Sequence, residues 1–276
     1  MRKIFLYLVI SIIFANYLFA ESQDTFPIEK IDEEMQIVQI SEDVFVVQHF
    51  FPWVNNSMVY FPDSVNVLIV DTPCTPEAMI KVLDWIGKRI TDPEITVINT
   101  HYHIDCLGGN QALIDRNITV YASDKSVELI DKFDSAKDRA SFDMIENEDI
   151  RNYYRNFHPV KPNHIFRPEE GMILSFGDIK VLVAYPGPAH TIDNVIVYIY
   201  DKKIMYAGCI ARPSLTMGYM GEADPKSWLK AMDFLAKYPV RYVIPGHGGL
   251  KQKFSPELLD LTRKALNLYI EEGEQK

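Results

Sequence analysis

The order of strand-like and helix-like segments in this chain predicts an α/β (α+β) domain in which two sheets pack face to face with helices on the outside. Three observations carry that expectation. Strands cluster first, a helix follows, and the same pattern repeats in the second half. Both halves are strand-rich. No low-complexity segment or Gly/Ser linker divides the 276 residues, and 47% of them are hydrophobic, enough for one large core.

The first twenty residues stand apart. Arg2 and Lys3 precede an apolar run through residue 20, and a polar, acidic stretch begins at Glu21. This is the layout of a secretory signal peptide cleaved after Ala20, which predicts a periplasmic protein with no stable membrane insertion once the signal is removed. Leu18 stands where a small residue is usual, so an uncleaved anchor is the alternative. Residues 21–34 read as a polar leader and 35–276 as the domain.

Residues 36–40, 44–48, 58–61 and 65–70 read as strands from their alternation and β-branched content. An aromatic loop, Phe50-Phe51-Pro52-Trp53-Val54, lies between the second and third and closes on Asn55-Asn56. Thr75 and Pro76 open a helix to about residue 89. A buried-type strand at 95–99 runs into Thr-His-Tyr-His-Ile-Asp-Cys-Leu-Gly-Gly, then a short helix and a strand at 118–121. Residues 123–157 read as mostly helical and highly charged, with Val127, Ile130 and Phe133 at helical spacing. Strands follow at 172–174, 179–184, 195–200 and 203–207. A helix spans 223–238 with Trp228, Ala231, Met232 and Leu235 on one face. A last strand at 241–244 ends in Pro-Gly-His-Gly-Gly, and a final helix reaches about residue 271.

Charge excludes one class of partner. The net charge is −10, and removal of Arg2 and Lys3 leaves 26 basic against 38 acidic residues, a net −12. With no basic run, nucleic-acid binding is not expected. Three cysteines cannot build a disulfide framework, and Cys74 and Cys106 can pair only if their backbones lie close. Oligomeric state is not legible.

Chemistry concentrates where strands end and glycines gather. His101, His103 and Asp105 follow one strand, His190 another, Cys209 a third and His247 a fourth. Any one of them has an ordinary reading: a surface His pair, a helix-capping Asp, an inert buried thiol, a turn histidine. Together they are zinc-binding side chains at converging strand ends, enough for two sites of three ligands each. Three protein ligands leave one position open, as a catalytic zinc requires.

His101-Tyr-His103-Ile-Asp105 followed by Gly108-Gly109 resembles the signature of the metallo-β-lactamase superfamily, and the order His190, Cys209, Pro-Gly-His247 continues the resemblance across nearly the whole mature chain. Cys209 points to the cysteine-containing di-zinc subclass of class B β-lactamases. The resemblance implies a four-layer αββα sandwich of two mixed β-sheets. It implies a first zinc on His101, His103 and His190 and a second on Asp105, Cys209 and His247. It also implies opening of the β-lactam ring of a small-molecule antibiotic by a metal-bound hydroxide. Asp105 would orient that hydroxide or help transfer its proton, and Gly108 and Gly109 would let the backbone pass close to the metals.

Other residues carry two readings each. Arg212, three after Cys209, either binds the substrate carboxylate or is an ordinary surface arginine. Trp53 either lies in a flap over the substrate or packs on the core. Asp71 either supports a ligand or turns the chain toward a helix. Tyr219 occupies the place of a substrate-facing asparagine in the family's loop. The stretch at 131–157 either roofs the site or is a solvated face. Hydrolysis of another ester, lactone or amide is the rival activity, and a zinc-binding module without catalysis is the rival class.

Overall fold

The computed structural model describes residues 26–51, 53–133 and 146–274. The expected signal peptide, Pro52 and the middle of the charged stretch lie outside the described residues.

Among the described residues thirteen strands form two mixed sheets. The first holds β1 (Ile28–Lys30), β2 (Met35–Gln39), β3 (Val44–Phe50), β4 (Val54–Tyr60), β5 (Asn66–Val70), β6 (Glu94–Ile98), β7 (Thr119–Ser123) and β8 (His164–Phe166), in that order. Pairing is antiparallel through β5 and parallel from β5 to β8. The second holds β9 (Met172–Phe176), β10 (Ile179–Ala184), β11 (Ile196–Ile199), β12 (Ile204–Gly208) and β13 (Tyr242–Pro245), with β12 and β13 parallel.

The helices are α1 (Pro76–Gly87), α2 (Ile104–Leu107), α3 (Asn110–Ile114), α4 (Asp124–Lys132), α5 (Glu148–Arg155), α6 (Pro225–Leu235) and α7 (Glu257–Glu274). Between the sheets Val46, Met58, Leu68, Val181, Val197 and Ile244 form one buried core. Met79, Val82 and Trp85 of α1 and Leu113 of α3 pack on the outer face of the first sheet. Trp228, Met232 and Leu266 of α6 and α7 cover the second. These are the four layers expected. Strands buried on both faces read as apolar runs, and β12 is buried at every position.

Two helix starts follow their capping residues. Thr75 accepts from Ala78 N, with Pro76 in the first turn, and Asp224 accepts from Ser227 N, with Pro225 next.

Three expectations need correcting. The polar leader expected over 21–34 contains β1, which pairs along β2, so the sheet starts inside it. Its burial pattern is fully exposed, which is why no apolar alternation marks it. The third strand starts at Val54, not at 58, so Asn55 and Asn56 are buried ladder residues instead of loop closure. The strand β8 was absent from the expected set; it is a three-residue edge, two of whose side chains are exposed. The stretch at 123–157 yields α4 and α5, while residues 134–145 lie outside the described set.

Candidate metal centre

The two sheets bring their loops to one edge. His101 and His103 follow β6, His190 follows β10, Cys209 follows β12, and His247 follows β13. Because β12 and β13 run parallel, Cys209 and His247 leave the sheet at the same end, and Gly246 N donates to Gly208 O at 2.7 Å. A Cβ on Gly246 would stand 2.7 Å from Cys209 Sγ, so only glycine lets that loop lie against the thiol.

Two triads of donor atoms that share no residue result, and a third group, His101, Asp105 and Cys106, overlaps both. His101, His103 and His190 form one; Asp105, Cys209 and His247 form the other; within each, the donor atoms all lie within 4.8 Å of one another. The spacings are informative. Cys209 Sγ is 3.2 Å from Asp105 Oδ2 and 3.5 Å from His247 Nε2, while His247 Nε2 is 3.4 Å from Asp105 Oδ2. His190 Nε2 is 3.2 Å from His103 Nδ1. Zinc–sulfur bonds of about 2.3 Å and zinc–nitrogen or zinc–oxygen bonds of about 2.0–2.1 Å, at tetrahedral angles, put ligand atoms about 3.3–3.5 Å apart. His101 Nε2 is buried with no hydrogen-bond partner among the described residues. Both observations fit zinc.

Electrostatics agree with a cation here. A hydrogen bond from Cys106 and the nearby His247 and His101 hold the Cys209 thiol well below its ordinary pKa, although burial opposes the thiolate. Burial also opposes charge on His247 and His101. Cys209 and Asp105 nevertheless raise both to about 10. An anionic sulfur beside a carboxylate oxygen calls for positive charge between them. Burial, helped by His103 and His101, keeps His190 neutral, its pKa far below the usual value.

The surrounding groups fix the donors. His247 Nδ1 faces Val54 O at 3.0 Å, which leaves Nε2 for the triad. His101 Nδ1 faces Cys106 Sγ at 3.0 Å. His103 Nε2 lies 2.7 Å from Glu222 Oε2, and Tyr102 donates its hydroxyl to Glu222 Oε1. Burial opposes the Glu222 charge, but the hydrogen bond and charge of His103 hold its pKa below the usual carboxylate value. The Asp71 carboxylate accepts from Thr100 N at 2.6 Å and Thr100 Oγ1 at 2.7 Å, directly before His101. Both of its readings hold: Asp71, with φ of +59°, turns the chain between β5 and α1, and its carboxylate lies beneath the ligand loop. Burial raises its pKa to about 7 against the pull of His101 and Thr100.

Sequence reasoning missed Glu222, whose one signal is a carboxylate directly after Gly221 in the loop that carries Tyr219. It also missed Asn56, which donates to Pro245 O at 2.7 Å and Gly248 O at 2.9 Å and accepts from Gln48. That residue staples the His247 loop to the first sheet.

The remaining expected residues are placed as follows. Trp53, at the tip of the β3–β4 hairpin, is 46% exposed and does not pack on the core. Tyr219 has its ring 6.1 Å from that of His103 and 6.5 Å from that of His190. Arg212 is half-buried, its Nε buried without a hydrogen-bond partner, and burial lowers its pKa. Gly108 and Gly109 serve a different end from the one expected. Cβ atoms there would meet Cys74 O at 2.1 Å and Met79 Cβ at 2.7 Å, so they permit close approach to α1 and the turn before it. Cys74, Cys106 and Cys209 are all free and buried.

Fold and donor set together define a metal-dependent hydrolase. The sequence matches the metallo-beta-lactamase superfamily over residues 51–247, most of the chain, and the protein belongs to that family, whose members use zinc. The metallo-beta-lactamase type 2 of Bacteroides fragilis is 25% identical over 252 residues, 88% of this chain and 89% of the relative. The metallo-beta-lactamase type 2 of Pseudomonas aeruginosa is 28% identical over 222 residues, 78% of each chain. The solved metallo-beta-lactamase from Pontibacter korlensis shares the fold with a TM-score of 0.62 at 23% identity, covering 88% of this chain and 99% of that one. No helix among the described residues is long and apolar enough to cross a membrane.

Proposed function

We propose that this protein is a class B β-lactamase that opens the β-lactam ring of antibiotics with two zinc ions, exported to the periplasm by residues 1–20 and folded as a domain through residue 276. The observation that carries this reading is the Asp105–Cys209–His247 triangle, with edges of 3.2, 3.4 and 3.5 Å, beside the three-histidine triad. In this reading His101, His103 and His190 hold one ion and Asp105, Cys209 and His247 the other.

Zinc, when bound, supplies a Lewis acid that lowers the pKa of water to about 7. The rest falls to side chains. Asp105 orients the attacking water and carries its proton toward the amide nitrogen released when the carbon–nitrogen bond breaks. Arg212 binds the substrate carboxylate through its guanidinium fork. Trp53 offers an exposed apolar face from the hairpin, and Tyr219 lies beside His103 and His190.

The placement of Tyr219 against both histidines favours a second reading, hydrolysis of another ester, lactone or amide in the same site. The purified chain should hydrolyse a cephalosporin or a carbapenem with zinc and lose that activity to a chelator. Two bound zincs with no turnover of either drug would reject the β-lactamase reading and leave the second.

A further inference from the structure

The helix α5 has one apolar stripe. Ile150, Tyr153 and Tyr154 recur at the spacing of adjacent helix turns, while Glu148, Asp149, Asn152 and Arg155 are exposed. Eight residues cannot hold a helix in water without packing. The stripe packs on Phe51 in the β3–β4 hairpin and on Ile104, which sits between His103 and Asp105. Tyr153 meets Phe51 edge to face with ring centroids 5.4 Å apart, and donates its hydroxyl to Cys74 O at 3.3 Å. Phe51 in turn stacks on His49 at 5.8 Å with an interplanar angle of 18°. The hairpin therefore rests on a stack of rings whose outer member belongs to α5. Three residues further, Val54 O faces His247 Nδ1, so the same hairpin borders the metal centre.

We propose that Tyr153 is a positioning residue for substrate selection: through Phe51 it fixes the β3–β4 hairpin, and so presents Trp53 as a preordered apolar wall to substrates with an aromatic substituent. This rests on the hydrolase reading of the site but concerns its substrate preference. A wall ordered in advance favours the substrate that touches it, because binding need not order it. Substrates too small to reach Trp53 gain nothing from the brace.

The protein carries its own probe. Of its three tryptophans, Trp85 and Trp228 are 3% and 0% exposed, against 46% for Trp53. Acrylamide quenching of the purified, zinc-loaded chain therefore reports the hairpin tip. Tyr153→Ala should raise the quenching constant about twofold, and raise KM about 2- to 10-fold for a β-lactam bearing an aromatic side chain, the range an aromatic pair supports. For a β-lactam lacking that group KM should stay within about twofold of wild type, as should kcat for both substrates, since the contact is remote from the bond broken. Tyr153→Phe keeps the ring and should restore both readouts. Phe51→Ala should match Tyr153→Ala in quenching, and the double variant should add little to either.

Unchanged quenching in Tyr153→Ala and Phe51→Ala would overturn the proposal, since α5 would then lean on the hairpin without holding it. So would an equal KM shift for both substrates. If Tyr153→Ala does not fold, Phe51→Ala tests the same contact from its other side. If no β-lactam is hydrolysed, the β-lactamase reading fails on its own evidence, while quenching still decides the brace.

Discussion

Glu222 Oε2 lies 2.7 Å from His103 Nε2, on the side of the imidazole away from His190. The carboxylate therefore requires a proton on Nε2 and leaves the Nδ1 lone pair facing His190 Nε2, 3.2 Å away. Tyr102 holds the second oxygen of the same carboxylate. One glutamate thus sets both the tautomer and the ring orientation of a donor in the three-histidine triad.

Loss of such a partner typically weakens metal binding roughly 10- to 100-fold. Glu222→Ala should fall in that range for zinc, measured by competition with a chromophoric chelator. Glu222→Gln still accepts from Nε2 but lacks the charge, so its loss should be smaller. Wild-type affinity in Glu222→Ala would show that His103 needs no support.

The His247 loop depends on a neutral amide. Asn56 donates to two carbonyls of that loop, Pro245 O and Gly248 O, while its own oxygen accepts from Gln48. Asn56→Ala takes the side-chain donor from buried Pro245 O, while Gly248 O keeps Gln48 Nε2 at 3.3 Å, and should cost roughly 1–3 kcal/mol. Asn56→Asp should cost more, because a carboxylate cannot donate and would face two carbonyl oxygens. Urea unfolding measures both. The thiolate absorption of the cobalt-substituted protein should also shift, since His247 and Cys209 share a triad.

What was legible in the sequence divides along physical lines. The six candidate ligands follow strand ends near glycines, and their joint occurrence, not any one of them, announces metal chemistry. The sandwich was legible because β5, β10, β11 and β12 are apolar runs. Asn55 and Asn56 misled because amides usually close turns; the ladder with β3 makes them strand residues, and Asn56 also has the distant partners Pro245 O and Gly248 O. Glu222 was hidden because its partners, Tyr102 and His103, lie about 120 positions earlier. Edge strands β1 and β8 bury too little to leave a pattern.

His49 gives the fold an acid sensitivity. It is 2% exposed, and its Nδ1 has no hydrogen-bond partner among the described residues. Burial, with a smaller contribution from Lys81, lowers its pKa to about 4 from an ordinary 6.5. The unfolded chain therefore binds the proton first as pH falls. Stability from a neutral His49 is complete above about pH 6.5 and is lost progressively down to about pH 4, up to about 3 kcal/mol. Chelator-treated His49→Leu should show a shallower loss of unfolding free energy than wild type between those pH values. Parallel profiles would assign the acid loss to other groups.

Arg212 and Gly218 occupy one another's space, which allows a test of the substrate-carboxylate role without removing the charge. A Cβ on Gly218 would stand 2.8 Å from Arg212 Nη2, and its φ of +69° disfavours any side chain. Gly218→Ala should therefore displace the guanidinium while leaving it charged. A charge-assisted hydrogen bond of about 1.5–3 kcal/mol corresponds to roughly 10- to 150-fold in binding. Arg212→Met should raise KM for a β-lactam by that order with kcat within a few-fold, because a carboxylate whose own charge does not change in the reaction is bound equally in ground and transition states. Gly218→Ala should reproduce the KM effect at smaller size. If Arg212→Met lowers kcat and leaves KM alone, the guanidinium acts on the reacting amide and not on the carboxylate. If Gly218→Ala has wild-type KM while Arg212→Met does not, charge matters at that position and orientation does not.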